Sequence, residues 1–178
     1  LWSLLSLDTA DESKLRLPPV TRFEPHLARD GQNLVNVLHT LYTGDRTFQT
    51  TVDDAMRAAF GTDYESLVFP PAADQRVQMR LRWRSLRREQ SAAELSDGTL
   101  RFLCLIAALA DPKPAPLIAI DEPETGLHPA MMPLVAELAV EASRRAQVVF
   151  TTHSDTFLDA FRETRPTTTV ARWDDGQT

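Results

Sequence analysis

Residues 117–129 read LIAIDEPETGLHP, a short apolar run that ends in two carboxylates, Asp121 and Glu122. A second apolar run, QVVFTT at residues 147–152, ends at His153. Between the two runs, residues 134–145 place apolar side chains at helical spacing. Two buried strands joined by a helix predict a β-α-β crossover in a parallel sheet that is covered on both faces. The expected fold class is therefore α/β.

Composition excludes several classes of protein. The chain has 178 residues, 43% of them hydrophobic and 25% charged, which is typical of one globular domain rather than a disordered or fibrous chain. The single cysteine excludes an internal disulfide framework and is typical of a reducing compartment. The longest uncharged apolar run, residues 102–110, is shorter than the ~20 residues of a membrane span. We therefore expect a cytoplasmic protein with no membrane partner.

The first half of the chain predicts a small helical and β insert. Apolar spacing predicts helices over residues 33–41 and 48–60, the second ended by Gly61. Residues 76–84 alternate apolar side chains with polar ones, which predicts a half-buried strand. The arginines on or just beyond it are Arg76, Arg80, Arg82, Arg84, Arg87 and Arg88. They could follow a nucleic-acid backbone, but the net charge of −6 favours a solvated face paired with acidic neighbours.

Two tryptophans and the C-terminal end complete the structural expectations. Trp83 and Trp173 are expected in the core rather than as platforms for stacked bases. Residues 168–173 predict a last strand, which would enter a tight turn at Asp175 and Gly176.

Polar side chains follow both strands of the predicted crossover. Because ligands bind beyond the carboxyl ends of parallel strands, Asp121, Glu122 and His153 form a candidate site. Taken singly, the carboxylates could cap a helix and the histidine could be an ordinary buried or capping side chain. Ser96 and Gly98 precede the apolar helix predicted over residues 100–110, where they form either an anion site or a simple cap and turn.

Taken together, these segments resemble one family. Residues 95–99, LSDGT, resemble the signature motif of ABC-type ATPases, with Asp97 where many members have glycine. Residues 117–122 are similar to the Walker B strand, 124–129 to the D-loop and 151–154 to the switch-histidine segment. The form of residues 121–129 resembles RecF-like, SMC-type and OLD-type ATPases. The strongest resemblance is to bacterial AAA-family proteins described as "predicted ATPases", which residues 30–34 and 96–103 also resemble.

The resemblance implies a fold and a domain organisation. It implies the C-terminal lobe of a P-loop NTPase head of the ABC type, with a mostly parallel sheet flanked by helices. Residues 1–22 would be a remnant of the N-terminal lobe with a linker, and residues 23–90 a lid or insert that contains the arginine-rich strand. Residues 91–178 would form the lobe that carries the signature, Walker B, D-loop and switch-histidine segments.

It also implies roles for the candidate residues. Asp121 would hold Mg²⁺ through a water molecule, and Glu122 would orient or deprotonate the water that attacks ATP. His153 would contact the γ-phosphate. Ser96 and the backbone of Gly98 would bind the γ-phosphate of ATP held by a second copy. The D-loop residues would be Thr125, Gly126, Leu127 and His128.

The implied cofactors are therefore ATP and Mg²⁺, and the implied partner is a second copy in an ATP-sandwiched homodimer. DNA or an associated nuclease are further candidate partners, in DNA repair or anti-phage defence. A non-catalytic regulatory or interaction module that kept the fold is the alternative function. The form of the D-loop disfavours a transporter subunit, and a metal-dependent hydrolase site would need more ligands than these.

One element of the family is absent from the sequence. No G-x-x-x-x-G-K-S/T loop, which would cradle the phosphates and supply a lysine, occurs in the 178 residues. We expect the chain to be the C-terminal part of a longer ATPase and to be inactive alone. The alternatives are a degenerate head and a half that pairs with a loop supplied in trans. Asp97 places a negative charge beside the expected anion site, where a phosphate would bind.

Overall fold

The computed structural model describes residues 2–5, 12–161, 164 and 166–171. In these parts of the chain the strands are β1 (Trp2–Leu5), β2 (Tyr64–Val68), β3 (Pro71–Ala72), β4 (Arg76–Val77), β5 (Arg80–Trp83), β6 (Gln90–Ser91), β7 (Leu117–Asp121) and β8 (Gln147–Thr151). The α-helices are α1 (Glu12–Arg16), α2 (Leu34–Gly44), α3 (Arg46–Phe60), α4 (Asp97–Leu109), α5 (Met132–Ala142) and α6 (Asp155–Asp159). Short 3₁₀ turns lie at Gly61–Asp63, Ala92–Glu94 and Pro129–Met131.

The main sheet is parallel, with strand order β1-β7-β8. Strands β7 and β8 are neighbours joined through α5, so the predicted β-α-β crossover is confirmed. The register places Asp121, the last residue of β7, opposite Thr151, the last residue of β8. Both strands therefore deliver their following residues to the same edge of the sheet.

One face of this sheet differs from the expectation. Ile118 and Ile120 are buried, but Val149 in the neighbouring strand is 43% exposed. Side chains alternate between the faces of a strand, and Val149 pairs with Ala119, on the face opposite to the two isoleucines. The prediction that both faces are covered is therefore wrong within the described residues. The apolar composition of the strands showed their tendency to be buried but not what covers them.

Helix α4 is the centre of the core. Every residue from 99 to 109 is buried, and α4 contacts α2, α3 and α5. Such a helix can be apolar on all sides because it has no solvent-facing stripe. Each large side chain buried there contributes about 1.5–3 kcal/mol to folding. The helix predicted over residues 100–110 is confirmed, with its start three residues earlier.

The helices predicted over residues 33–41 and 48–60 are also confirmed. Helix α3 begins after Asp45, whose carboxylate accepts a hydrogen bond from the Phe48 N–H at 2.9 Å, and it ends at Gly61 with φ of 74°. Glycine adopts this left-handed conformation at little cost. The hydroxyls of Tyr42 and Tyr64 donate to one oxygen of Asp53 at 2.7 and 2.8 Å, which ties α2, α3 and β2 together.

The arginine-rich segment forms two short strands instead of the single strand predicted over residues 76–84. The chain changes partner between them, because β4 pairs with β3 while β5 pairs with β2 and β6. The predicted alternation holds: Val77, Met79 and Leu81 are buried, and Trp83 is half-buried.

Three arginines of this segment form ion pairs with acidic side chains. Arg80 and Arg82 form ion pairs with Glu89 at 3.7 and 2.7 Å. The Arg88 guanidinium pairs with Glu94 at 2.5 Å and lowers the pKa of that carboxyl to about 2. These pairs favour the solvated, acid-paired interpretation over a nucleic-acid contact.

The C-terminal strand predicted over residues 168–173 is not formed at residues 168–171, which carry no strand pairing. Trp173 and the turn at Asp175 and Gly176 lie outside the described residues. The domain boundaries at residues 22 and 90 stay a prediction. Among the described helices, none combines the length and the apolar character needed to cross a bilayer.

Burial of the single cysteine carries a testable consequence. Cys104 lies in α4, is 2% exposed, and its burial raises the pKa of the thiol to about 12. Because the thiolate is the reactive form, we expect negligible labelling by a disulfide reagent at pH 8 in the folded protein. Unfolding in guanidinium chloride should release one reactive thiol. Rapid labelling under native conditions would contradict the buried position of α4.

Candidate functional site

The carboxyl ends of β7 and β8 form the centre of the candidate site. The Thr151 hydroxyl donates a hydrogen bond to the Asp121 carboxylate across the paired strands. The Glu122 N–H donates to the Thr151 carbonyl at 3.1 Å, which extends the pairing by one residue. Asp121 is exposed and Glu122 is half-exposed. The two carboxylates are therefore held at the sheet edge and remain accessible to a ligand.

Glu122 has an unusual backbone conformation. Its φ is 41°, in the left-handed region that non-glycine residues rarely adopt. The Arg101 guanidinium donates to the Glu122 carbonyl at 2.8 Å, and the Thr125 hydroxyl donates to its carboxylate at 3.1 Å. Such a conformation costs about 1–3 kcal/mol and persists where surrounding contacts impose it. These contacts hold the Glu122 side chain in place at the strand end.

His153 lies directly beside this glutamate. Its Nε2 is 3.7 Å from Glu122 Oε1, and its side chain is 92% exposed. The structure thus brings together Asp121, Glu122 and His153, as their positions after neighbouring strands predict. An exposed imidazole at this distance can contact the same small ligand as the carboxylate.

The donor set at the strand ends fits Mg²⁺. The exposed Asp121 carboxylate and the Thr151 hydroxyl are hard oxygen groups, and Mg²⁺ characteristically uses one or two carboxylates, waters and substrate phosphates. Among the described residues, no group of three His, Cys, Asp or Glu side chains is arranged to hold a metal without such additional ligands. The donor set therefore agrees with an ion that would be shared with phosphate oxygens.

The predicted signature segment, residues 95–99, forms the turn into α4 and its first residues. Ser96 caps the helix: its hydroxyl oxygen accepts from the Thr99 N–H at 3.2 Å and lies 2.8 Å from the Thr99 hydroxyl. The remaining first-turn N–H groups and the helix dipole favour an anion at this end. Ser96 is exposed, so its backbone and hydroxyl are accessible.

Gly98, in the predicted signature segment, lies against Gly126 of the predicted D-loop. A Cβ built on Gly98 would lie 2.6 Å from the Gly126 carbonyl oxygen, closer than a real Cβ can approach. Gly126 itself has φ of 74°. The two predicted sites are therefore in direct backbone contact, and both positions require glycine for different reasons.

The other D-loop residues have distinct environments. Leu127 is buried, whereas Thr125 and His128 are exposed. His128 Nδ1 accepts a hydrogen bond from the Ala130 N–H at 3.2 Å and caps the 3₁₀ turn before α5. Leu127 therefore anchors the loop in the core, and Thr125 contacts Glu122.

A hydrogen bond links the predicted D-loop to the predicted switch-histidine segment. The Thr152 hydroxyl donates to Glu124 Oε1 and accepts from the Ser154 N–H at 2.9 Å. Glu124 Oε2 is buried and has no hydrogen-bond partner within the described residues. Since Thr152 precedes His153, this bond couples the position of His153 to the D-loop.

Replacing Thr152 with valine tests this coupling. Valine keeps the shape but removes the hydroxyl, which leaves the Glu124 carboxylate and the Ser154 N–H without that partner. We expect the free energy of unfolding to fall by about 1–3 kcal/mol in urea denaturation. Thr51→Val is the matched control, because the Thr51 hydroxyl donates to the Thr47 carbonyl of its own helix, α3, at 3.0 Å. Equal losses in the two variants would contradict a specific role for Thr152.

Sequence reasoning missed several residues around the site. Arg101 could have been singled out from the sequence, because it is a charged residue inside an otherwise apolar helical run. Its guanidinium donates a hydrogen bond to the Glu122 carbonyl. Glu124 and Thr152 lay in recognised segments without an assigned contact. Arg16 had no signal, and it pairs with Asp97 from a position 81 residues earlier. Asp97 therefore does not stand as an isolated negative charge beside the anion site.

Comparison with known protein families shows which family this chain belongs to. The family described as "AAA domain, putative AbiEii toxin, Type IV TA system" matches residues 4–159. The chain belongs to this family. Membership supports an ATPase-type function with nucleotide binding and agrees with the predicted resemblance to AAA-family ATPases. The comparison with curated proteins finds none that matches.

Several solved structures with a fold similar to this chain are SMC ATPases or their head domains. A structure from work on ATP-driven dimerization and DNA-stimulated activation of SMC ATPases has a TM-score of 0.51 at 17% identity, over 71% of this chain and 77% of that one. The Smc head bound to the C-winged helix domain of ScpA gives 0.59 at 16% identity, over 88% and 49%. The Pyrococcus furiosus Smc head with an extended coiled coil gives a TM-score of 0.51 at 18% identity, over 71% of this chain and 32% of that one.

These similarities show the fold, an α/β P-loop NTPase type, and confirm the predicted fold class. The family member spans half or less of the two Smc head chains, at 49% and 32% of their lengths.

Proposed function

We propose that this chain contributes the Walker B, D-loop, switch-histidine and signature segments of an ATP-gated dimeric head that hydrolyses ATP with Mg²⁺. The observation that carries the proposal is the grouping of Glu122 and His153, 3.7 Å apart, beside Asp121 at the ends of adjacent parallel strands. The close contact of Gly98 with Gly126 supports it further, since it joins the predicted trans-binding segment to the D-loop.

In this mechanism each residue has one task. Glu122 would orient or deprotonate the attacking water, and His153 would contact the γ-phosphate. Asp121 would hold Mg²⁺ through a water molecule, and the bound ion would neutralise phosphate charge during transfer. Because phosphoryl transfer needs positioning and charge stabilisation more than covalent chemistry, these groups match the reaction.

The signature turn acts on a second nucleotide. Ser96 and the Gly98 backbone would bind the γ-phosphate of ATP held by the partner copy, so that two heads enclose two nucleotides. ATP-driven dimerization is named for one of the structures that share this fold. Hydrolysis would then remove the shared phosphate contacts and release the dimer.

The processes and further partners belong to the same proposal. DNA repair or anti-phage defence, with DNA or an associated nuclease as partner and the cytoplasm as the location, suits an ATP-gated head of this kind. The arginine-rich segment gives little support to DNA contact at that surface, because Arg80 and Arg82 pair with Glu89.

The test uses protein expressed from the complete reading frame that contains this chain. We expect ATP hydrolysis that EDTA abolishes, together with a shift from monomer to dimer in light scattering when ATP is added. An upstream phosphate-binding loop in that frame would support the ATPase. Absence of both nucleotide binding and dimerization would favour the non-catalytic regulatory or interaction module.

A further inference from the structure

Arg16, the last residue of α1, contacts the turn that leads into α4. Its guanidinium donates to the carbonyl oxygens of Leu95, Ala93 and Ala92 at 2.6, 3.3 and 3.4 Å. It also forms an ion pair with the Asp97 carboxylate. The arginine side chain is 22% exposed and that of Asp97 is 55% exposed. One side chain from a distant part of the chain therefore holds the residues on both sides of Ser96.

This arrangement restricts the conformation of Ser96, the residue that caps α4. The Leu95 carbonyl and the Asp97 carboxylate flank Ser96, and both are bound by the same planar guanidinium. An arginine presents its donors in a fixed fork, so two acceptors bound to it keep a defined separation. The direction of the Ser96 hydroxyl and of the first N–H groups of α4 is set by the backbone between these two points.

The pairing also changes the charge of the turn. Asp97 is the first residue of α4, and its carboxylate would repel a phosphate that approaches the helix N-terminus. The positive charge of Arg16 offsets that repulsion where the ion pair forms. Glycine, which many ABC-type ATPases have at this position of the signature motif, would need no such partner.

We infer that Arg16 is a positioning residue of the signature turn, which orients Ser96 and compensates the charge of Asp97 so that the turn can accept a nucleotide phosphate. The inference rests on the proposed function, in which that phosphate belongs to ATP held by a second copy. Arg16 acts through Ser96 and Asp97 rather than by touching the reacting atoms.

Arg16→Gln in the protein from the complete reading frame provides the first test. We expect the ATP concentration for half-maximal dimerization to rise about tenfold, the size expected for loss of a charge-assisted hydrogen bond. Arg145→Gln is the matched control, because Arg145 donates to the Asp111 and Leu109 carbonyls at the opposite end of α4, at 2.6 and 3.3 Å. A rise of the same size in the control would overturn the inference in favour of general destabilisation.

Asp97→Asn separates charge from geometry. In the Asp97→Asn background, Arg16→Gln should raise the half-maximal ATP concentration by only about threefold, because no carboxylate is left uncompensated. An undiminished tenfold effect in that background would overturn the charge compensation. Arg16→Lys, which keeps the charge, should recover part of the loss.

Amide hydrogen exchange gives a measure that does not depend on ATP. In Arg16→Gln the Thr99 and Leu100 amides, which donate to the Ser96 hydroxyl oxygen and the Ser96 carbonyl, should exchange at least about tenfold faster than in the wild type, while those at the other end of α4 keep their rates. Unchanged exchange at Thr99 and Leu100 would overturn the inference. A wild-type protein that neither binds ATP nor dimerizes would instead overturn the proposed function, and the exchange result would still decide the role of Arg16.

Discussion

Glu122→Gln in the protein from the complete reading frame is expected to bind ATP, to lose turnover by about 10²–10⁴-fold, and to accumulate as an ATP-bound dimer. Glutamine keeps the length and an oxygen that can accept the Thr125 hydroxyl, so the fold of the turn persists. It cannot take a proton from water, so the enclosed nucleotide is not released by hydrolysis. Phosphate release and light scattering measure the two effects in parallel.

Glu137→Gln is the matched control for this variant. Glu137 is exposed on α5, away from the strand ends, and its replacement should leave turnover within about twofold of the wild type. Full turnover in Glu122→Gln would remove this residue from the reaction and, with it, the main support for the proposed mechanism.

Gly98→Ala is expected to damage the site through its backbone. The added methyl would lie 2.6 Å from the Gly126 carbonyl oxygen, so either the signature turn or the D-loop must move. Because backbone yields less easily than a flexible side chain, we expect a loss of about 1–3 kcal/mol in the free energy of unfolding. Urea denaturation measures this loss, and the displaced Gly98 backbone should also weaken ATP-dependent dimerization.

Gly44→Ala isolates the effect of that contact. Gly44 ends α2, and a Cβ there would meet no atom within 4 Å. Alanine at such a position should be neutral or stabilise by up to about 1 kcal/mol, because it reduces the freedom of the unfolded chain. A Gly98→Ala protein as stable as Gly44→Ala would show that the two loops are not in close contact.

Local pattern was sufficient for much of the fold. Residues 117–120 and 148–150 form apolar runs, and helices α2 and α3 carry a clear apolar stripe. Helix α3 also ends at a glycine, Gly61. The segment at residues 76–84 was harder, because its alternation is that of one strand while its hydrogen-bond partners change after Val77. Alternation reports which side chains face the core, but the partner of each backbone group depends on distant segments.

The candidate site divides in the same way. That Asp121, Glu122 and His153 share one edge follows from their positions after parallel strands, since strand direction alone places them there. The contact of Gly98 with Gly126, the Arg101 bond to the Glu122 carbonyl and the Arg16 pair with Asp97 join residues 21 to 81 positions apart. The spacing of apolar residues along the chain does not predict such pairs, because a hydrogen bond or a close approach depends on how separate elements pack in space. Motif order therefore identified the chemical groups, and packing set the contacts that orient them.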